Sequence, residues 1–287
     1  MNIEGTTVLI TGASSGIGRA TAVALARRGA RLVLAARDRG RLAETLAEVG
    51  IAGGEGFVLV ADLTASGAPS WVIAQAERAA GAPLDAAVLA AGVTCFAPHD
   101  RVTDDELERL LRVNVFAPLS MSRALVGSFR ERGRGNLLLV GSVFGALGYP
   151  CFAAYSASKA AIRVFAESLR RECAGSGVVI SLVAPRATRT PMSESQGRLA
   201  EVTGMNLDSP EQVADRIVRA LQRDEREATL GLPERIFTKL NAFLPRVIDR
   251  ALGKEGRRIR PLAEERLASE SSLEKEPRDD RVDVHTS

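Results

Sequence analysis

The chain has 287 residues, of which 46% are hydrophobic, so it is long enough to bury a large core and to form one sizeable α/β domain. Its formal net charge of +3 is too small for the fold as a whole to be a binder of nucleic acid. The two histidines, His99 and His285, leave too few candidate ligands for a His/Cys zinc site, so no metal site is predicted.

Apolar runs alternate with segments of helical periodicity along most of the chain, a pattern typical of repeated βαβ units. The apolar runs predict strands at Thr6–Thr11, Arg31–Ala36, Phe57–Ala61, Asp85–Ala91, Asn136–Ser142 and Val178–Ala184. The helical segments predict helices at Arg19–Gly29, Asp104–Arg132, Phe152–Ala174 and from Pro210 to about Arg223. We therefore expect an α/β fold with a Rossmann-like doubly wound parallel sheet and helices on both faces.

The turn between strand one and the following helix has the sequence TGASSGIG at residues 11–18. Its glycines, Gly12, Gly16 and Gly18, let the backbone turn tightly and approach a pyrophosphate, to which the helix N-terminus offers N–H groups and a partial positive charge. The spacing is G-x-x-x-G-x-G rather than the commoner G-x-G-x-x-G, and a Gly-rich stretch alone is also compatible with an ordinary turn. Its position at the first strand–helix junction favours a dinucleotide site.

The end of strand two should contact the adenosine ribose, where an NAD site has a carboxylate and an NADP site has cations. Here the strand ends in Ala36 and Arg37, and an arginine is suited to bidentate contact with a 2′-phosphate. The hydroxyls of Ser14 and Ser15 are further candidate donors. Arg37 could instead be a solvated loop residue that pairs with Asp38. The pattern favours NADP(H) over NAD(H) as the cofactor.

Tyr155 and Lys159 are four residues apart within the predicted helix Phe152–Ala174, so they share one face of it. A free phenol has a pKa of about 10 and is a poor base at neutral pH, but a nearby ammonium is expected to lower that pKa. Tyr155 would then be a general acid in carbonyl reduction and a general base in alcohol oxidation. By itself, the Y-x-x-x-K spacing is more often an exposed pair on a helix surface.

Three further residues support the functional interpretation of this pair. Ser142 ends strand five, upstream of Tyr155, and its hydroxyl is a candidate to hold a substrate oxygen. Asn114 lies between two valines within the predicted helix Asp104–Arg132, and an amide in mid-helix is unfavourable unless it has a specific role. Gly92 follows strand four and permits close approach of a cofactor.

Taken together, TGASSGIG at 11–18, Asn114, Ser142 and YSASK at 155–159 resemble the short-chain dehydrogenase/reductase family, and the resemblance covers roughly residues 6–223. It implies a sheet of about seven strands, a nicotinamide cofactor, and a catalytic tetrad. The members of that tetrad would be Asn114, Ser142, Tyr155 and Lys159. In the family the tyrosine transfers the proton, the lysine also binds the nicotinamide ribose, the serine positions the carbonyl and the asparagine holds a water of a proton relay.

The resemblance also implies which residues contact the cofactor. Asp62 and Leu63, after strand three, match the adenine contact, and Arg37 matches the position of NADP-preferring members. Thr188 and Thr190, after strand six, stand where the family contacts the carboxamide. The complete predicted set is Gly12, Ser14, Ser15, Gly16, Ile17, Gly18, Arg37, Asp62, Leu63, Ala91, Gly92, Tyr155, Lys159, Thr188 and Thr190.

Two positions depart from the family pattern. The family's Asn-Asn-Ala-Gly after strand four is LAAG at residues 89–92 here, so we expect backbone groups to brace this part of the site in place of the missing amides. The family's Pro-Gly after strand six is Pro185-Arg186. Because arginine resists backbone angles that glycine adopts, we expect a differently shaped loop on the nicotinamide side. Neither departure removes a proton-transfer group.

The composition divides the chain into a Rossmann-fold catalytic domain at 1–232, an amphipathic and basic helical extension at 233–260, and a charged tail at 261–287 that is expected to be disordered. Within the extension, Glu234–Leu252 has an apolar stripe, Pro245 is expected to kink the helix, and basic residues cluster from Arg246 to Arg260. The extension could pack on the body or in a dimer, form a lid over a lipophilic site, or contact an anionic membrane surface.

The loops beyond the carboxyl ends of the strands should bind the substrate, and their side chains are mostly apolar, including Phe96, Phe144 and Met192. We therefore predict an NADP(H)-dependent oxidoreductase that interconverts a carbonyl and a secondary alcohol on a hydrophobic substrate, as a homodimer or homotetramer. The alternative is a catalytically silent cofactor-binding sensor or scaffold of the same fold, which would not need Tyr155 and Lys159 together.

A cytoplasmic location is expected from three features of the sequence. The cysteines are odd in number and have no C-x-x-C spacing, which fits a reducing compartment. The first residues have neither the basic nor the apolar region of a signal peptide, and no apolar run is long enough to span a bilayer.

Overall fold

The computed structural model describes residues 1–194, 198–229, 241 and 243–273. Within these residues, seven parallel strands form one sheet in the order β3-β2-β1-β4-β5-β6-β7. The strands are β1 (Thr7–Thr11), β2 (Arg31–Ala36), β3 (Glu55–Val60), β4 (Ala86–Leu89), β5 (Gly135–Val140), β6 (Val178–Ala184) and β7 (Glu227–Thr229). The predicted Rossmann-like fold is confirmed, although β4 and β5 end earlier than predicted because the chain there turns towards the site.

Helices cover both faces of the sheet. They are α1 (Gly16–Ala26), α2 (Arg39–Ile51), α3 (Ala68–Ala80), α4 (Asp104–Leu111), α5 (Ala117–Glu131), α6 (Ala153–Glu172), α7 (Pro191–Glu194), α8 (Leu199–Thr203), α9 (Pro210–Gln222) and α10 (Pro245–Leu273). Side chains alternate along β1, so Val8 and Ile10 pack towards α1 and α9, whereas Leu9 packs towards α3, α5 and α6. The core therefore lies in two layers, one on each face.

The strand order places the functional crevice. β1 and β4 are hydrogen-bonded neighbours although two strands and three helices separate them in sequence. The strand order runs from β1 through β2 to β3 on one side of this pair and from β4 through β5 to β7 on the other. In open α/β sheets, ligands bind beyond the carboxyl ends of the strands at the place where the strand order reverses in this way. The TGASSGIG turn leaves β1 here.

Two helix starts show how well local signals predict the elements. The start predicted just before α9 is confirmed, because Ser209 and Gln212 cap each other through N–H···O bonds of 3.2 and 2.8 Å. By contrast, no helix was predicted at α2, because its apolar periodicity is weak. Only three of its side chains are buried, those of Leu42, Thr45 and Val49.

The single helix predicted at Asp104–Arg132 is instead interrupted. Between α4 and α5, Arg112–Phe116 forms one turn of π-helix, and Asn114 lies within it. Pro118 gives a physical reason, because a proline lacks the N–H that would reach the carbonyl of Asn114, and its ring would clash with that carbonyl in a regular α-helix. Such single-turn widenings are frequent at functional sites.

The chain beyond β7 differs from its predicted organisation. The boundary at 232 lies outside the described residues, as do residues 234–240 and 242 of the predicted helix Glu234–Leu252. Pro245 does not kink a helix but is the first residue of α10. At this position a backbone N–H would make no hydrogen bond within the helix, so the lack of one in proline costs nothing. The prediction of a disordered tail from residue 261 is wrong as far as Leu273, because α10 continues to that residue. Ile259 and Ala263, both fully buried on the protein body, provide packing that composition alone does not indicate. No helix in the described part of the chain is long and apolar enough to cross a membrane.

Candidate active site

The glycine loop, residues 11–18, connects β1 to α1 at the crevice between β1 and β4. Gly12 has a φ of 70°, and a Cβ at this position would lie 2.9 Å from the backbone of Ala91, so only glycine fits here. A Cβ at Gly18 would overlap the carbonyl oxygen of Gly12. The loop therefore leaves its backbone open to a cavity of about 580 Å³ at the N-terminus of α1, an arrangement suited to phosphate groups.

The predicted cofactor residues converge on this cavity and its neighbour. The first cavity is lined by Gly12, Ser14, Ser15, Gly16, Ile17, Gly18, Arg37, Asp62, Leu63, Ala91, Gly92 and Thr190. The other three, Tyr155, Lys159 and Thr188, line a second cavity of about 420 Å³. Ile17, Gly92 and Thr190 line both cavities, so the two spaces adjoin.

The end of the first cavity next to β2 is lined by two arginines, Arg37 and Arg41. Asp38 does not pair with Arg37; it caps α2 by accepting a 3.0 Å hydrogen bond from the backbone N–H of Arg41, whose Nε lies 3.6 Å from the same carboxylate. Arg41 also lines the cavity and was not predicted. The signal that could have identified it is the Asp-x-x-Arg spacing at a helix start, which places Arg41 in the first turn of α2.

Asp62 lies at the rim of the same cavity as a charged group. A backbone hydrogen bond from Thr64, 2.9 Å long, is the main cause that holds the pKa of the Asp62 carboxyl below its usual value. The Thr64 hydroxyl donates a second bond of 2.9 Å, and the positive charge of Arg37 acts in the same direction. Asp62 is therefore ionised at neutral pH and its orientation is fixed.

Side chains brace the loop after β4, which corrects the expectation that backbone groups alone do so. The hydroxyl of Thr11 accepts a 3.1 Å hydrogen bond from the N–H of Ala91. The amide of Asn114 accepts from the N–H of Val93 and donates to its carbonyl, both at 2.9 Å, and also donates to the hydroxyl of Ser158 at 3.0 Å. Thr11 thus holds the LAAG segment, and Asn114 holds the residue that follows it.

Ser158 is a polar residue that the sequence-based prediction missed. It is buried on α6, and its hydroxyl donates a 2.7 Å hydrogen bond to the carbonyl of Tyr155 while it accepts from Asn114. A chain of hydrogen bonds therefore connects the π-helical turn to α6. Its only signal in the sequence is its place within YSASK, directly before Lys159.

The predicted tetrad comes together at the carboxyl ends of β4 and β5. Ser142 follows β5, and its hydroxyl hydrogen-bonds that of Tyr155, which lies on the first turns of α6. Both side chains are partly open to the second cavity. Lys159 is buried beside them, donates a 3.1 Å hydrogen bond to the carbonyl of Val140, and lies 5.8 Å from the centre of the Tyr155 ring. Asn114 completes the group from the π-helical turn.

Burial is the main influence on the pKa values of Tyr155 and Lys159. It raises the pKa of Tyr155 above its usual value, and the hydrogen bond from Ser142 only partly offsets this effect. Burial also lowers the pKa of Lys159 to about 8. The expectation that the ammonium would lower the pKa of the phenol is therefore wrong for this structure. Tyr155 is a protonated acid at neutral pH, and Lys159 still carries its proton there.

A family model described as short chain dehydrogenase matches residues 6–200. The chain belongs to the short-chain dehydrogenase/reductase family. Curated relatives include the ketoacyl reductase HetN of Nostoc sp., 30% identical over 229 residues, which are 80% of this chain and 79% of HetN. The 3-oxoacyl-[acyl-carrier-protein] reductase FabG of Escherichia coli is 31% identical over 223 residues, 76% of this chain and 90% of FabG.

Solved structures agree with the fold and with a nicotinamide cofactor. A short-chain dehydrogenase from Sphingobium yanoikuyae in complex with NADPH has a TM-score of 0.72 and 27% identity, and the match covers 98% of each chain. A family member from Burkholderia phymatum in complex with NAD has a TM-score of 0.78 over 86% of this chain and 96% of its own, but its identity of 23% supports the fold alone. Members of the family thus bind either cofactor.

The loop after β6, where the chain departs from the family pattern, is held by an ion pair. Arg186 donates from Nη2 to the carboxylate of Asp208 at 2.6 Å, and Asp208 is buried just before α9. Thr188 donates a 2.9 Å hydrogen bond to the carbonyl of Arg186, and Thr190 lies close to the glycine loop at Gly16. The arginine that replaces glycine therefore connects the loop to the body.

An aromatic cluster closes the second cavity on the side away from the glycine loop. Phe96 stacks on Phe152 with ring centres 4.9 Å apart, and Phe144 stacks on Tyr149 at 4.6 Å. The cluster also contains Leu199 of α8 and Ile259 of α10. The wall that Phe144 and Phe152 give the second cavity is therefore apolar, and α8 and α10 pack against the same cluster.

Proposed function

We propose that this chain catalyses the NADP(H)-dependent interconversion of a carbonyl and a secondary alcohol on a hydrophobic substrate. The observation that carries the proposal is that Ser142 and Tyr155, with buried Lys159 beside them, line a cavity that adjoins the one at the glycine loop. The test is NADPH consumption with a panel of aldehydes and ketones of increasing length. Absence of consumption across the whole panel would contradict the proposal.

The residues of the first cavity fit a nicotinamide dinucleotide. Gly12 and Gly18 have no Cβ, and a Cβ at either position would meet neighbouring backbone atoms. The backbone there can therefore come close to the phosphates. Arg37, Arg41 and the hydroxyls of the glycine loop would hold the 2′-phosphate. The other groups proposed to hold the cofactor are Asp62 and Leu63 at adenine, Lys159 at the nicotinamide ribose, and Thr188 and Thr190 at the carboxamide. When bound, the cofactor supplies or accepts the hydride.

Tyr155 is proposed to move the proton. Because burial raises its pKa, its hydroxyl is protonated at neutral pH and suited to donate to the oxygen of a carbonyl substrate. The neighbouring hydroxyl of Ser142 would hold the same oxygen. Asn114, whose side chain braces Val93 and Ser158, would keep the catalytic helix and the loop after β4 in register. This arrangement favours reduction, and it argues against a silent sensor, which has no need for a proton donor.

We also propose a homo-oligomer in a reducing cytoplasm. The groove between α4 and α5 exposes Leu111 and Phe116 by 42% and 57%, an apolar surface that a second copy would cover. The three cysteines are thiols, which fits a reducing compartment. Sedimentation of the purified protein as a monomer at micromolar concentration would contradict the oligomer.

Replacement of Arg37 tests the cofactor preference. Charge-assisted hydrogen bonds to a phosphate are each worth roughly 1.5–3 kcal/mol, so Arg37→Ala should weaken NADPH binding by about 10- to 100-fold and leave NADH binding nearly unchanged. Dissociation constants from fluorescence titration measure both. Arg39→Ala is the matched control, since Arg39 is exposed nearby but does not line the cavity. Equal affinities of the native protein for the two cofactors would refute the preference.

Replacement of Ile259 tests the role of α10 in the substrate site. Ile259 is fully buried against the aromatic cluster, and truncation of such a side chain typically costs about 2–5 kcal/mol, so Ile259→Ala should loosen α10 locally. We expect a higher KM for hydrophobic substrates and an unchanged Kd for NADPH. Val247→Ala, on the exposed face of the same helix, should change neither. Unchanged KM values in Ile259→Ala across the panel would remove α10 from the substrate site.

A further inference from the structure

The residues at and just before the start of α10 expose apolar side chains. Phe243, Leu244 and Val247 are 83%, 51% and 57% exposed, although most side chains of this type are buried elsewhere in the protein. Phe243 and Leu244 immediately precede α10 and Val247 lies in its first turn, so the three lie at the same end of the helix. Exposed aromatic and aliphatic groups in such a cluster mark a surface that contacts something apolar.

Exposed cations continue this face along the helix. They are Arg246, Arg250, Lys254 and Arg257. Their spacing of three or four residues keeps them on the side that carries Val247. None of the four has an ion-pair partner among residues 1–194, 198–229, 241 and 243–273. The one exposed carboxylate among residues 243–258 is that of Asp249, at the edge of the face, while Glu255 is turned inwards and pairs with Arg258.

The opposite side of α10 fixes this orientation. Ile248, Ile259 and Ala263 are 2%, 0% and 0% exposed, and Arg258 donates a 2.7 Å hydrogen bond to the carbonyl of Val202 at the end of α8. The helix is therefore anchored along its inner side, and the cationic face cannot turn inwards without losing this packing.

We propose that this face, residues 243–257, docks the protein peripherally on a membrane surface that contains anionic lipids. These four cations have no ion-pair partner in the described part of the chain and match phosphate-rich headgroups, and each contributes about fivefold to partitioning onto such a surface. Phe243, Leu244 and Val247 would enter the boundary between headgroups and acyl chains, as apolar residues of interfacial helices do. The combination of an apolar end and a cationic stripe fits a lipid surface better than a purely acidic soluble partner.

A groove lies between α10 and the loop after β5, next to the site. A cavity of about 700 Å³ is bounded by Asp249, Leu252 and Gly253 of α10 and, on its other wall, by Phe144. Phe144 also lines the cavity of Ser142 and Tyr155. If the proposed function is correct, a lipophilic carbonyl dissolved in the bilayer would enter along this groove.

The test is co-sedimentation of the full chain with vesicles of phosphatidylcholine alone or mixed with phosphatidylglycerol. We expect binding to the mixed vesicles only, at low salt, and release at high salt. The variant Arg250→Glu/Lys254→Glu/Arg257→Glu should partition at least about a hundredfold more weakly, because each lost cation removes about fivefold. The matched control reverses three exposed arginines elsewhere, Arg27→Glu/Arg78→Glu/Arg219→Glu, and should bind like the native protein.

Three outcomes would overturn the docking proposal. The first is that native protein stays in the supernatant with mixed vesicles at low salt. The second is that the two triple variants bind equally. The third is that Phe243→Ser/Val247→Ser changes the oligomeric state in sedimentation, which would make this face a subunit interface. Vesicle binding requires no turnover, so loss of binding with intact NADPH oxidation refutes the docking face alone, and the reverse result refutes the proposed function alone.

Discussion

Tyr155→Phe is expected to lower turnover about a thousandfold, since a positioned general acid contributes 10²- to 10⁴-fold to a proton-transfer step. The substitution removes only the hydroxyl. The ring keeps its edge contacts to Phe144 and Phe152, with centres 6.4 and 6.3 Å away, so the cavity retains its shape. The Kd of NADPH should therefore stay unchanged while kcat falls. Steady-state kinetics on the best substrate of the panel, with a parallel cofactor titration, measure both quantities.

The chain offers a matched control for this experiment, because it contains only two tyrosines. Tyr149 belongs to the same aromatic cluster, and burial raises its pKa as well, but it does not line the cavity of Ser142. Tyr149→Phe should retain most of the turnover. Near-native kcat in Tyr155→Phe, or an equal loss in both variants, would show that the Tyr155 hydroxyl is not the proton donor.

The affinity for cofactor is expected to fall as pH rises through about 8, the value to which burial lowers the pKa of Lys159. Below that pH the ammonium is present and donates hydrogen bonds; above it the charge is lost. Hydrogen bonds from a charged donor are worth roughly 1.5–3 kcal/mol, so the affinity should decrease by about 10- to 100-fold across the transition. The raised pKa of Tyr155 keeps the phenol from ionising in the same range.

Lys159→Met provides the control for this pH dependence. Its NADPH affinity should be low at all pH values and should no longer change near pH 8. The variant should also unfold at a higher temperature at neutral pH, because it no longer buries an ammonium away from water. In the native protein, stability should rise with pH between about 8 and the ordinary lysine value of 10.5, since the unfolded chain binds more protons there. A native affinity that does not change across this range would refute the role assigned to Lys159.

The sequence by itself determined the features that depend on short spacings. The glycines of residues 11–18 indicate a close backbone approach wherever they occur between a strand and a helix. Tyr155 and Lys159 share a helix face because of the helical repeat alone. The alternation of apolar runs and helical segments likewise predicted six strands of the parallel sheet. These features can be predicted from the sequence because they depend only on residues that are close together in the chain.

The tertiary structure decided what depends on residues distant in sequence. Asp38 caps a helix instead of pairing with Arg37, because α2 begins directly after it. Asn114 hydrogen-bonds to Val93, a contact between residues distant in sequence that no sequence pattern predicts. α10 continues beyond residue 261 because Ile259 packs in the aromatic cluster, whereas the charged composition of this segment predicted disorder. The direction of the Tyr155 pKa shift also follows from burial, which is the sum of contacts from many segments and cannot be obtained from the distance to one lysine in a helix.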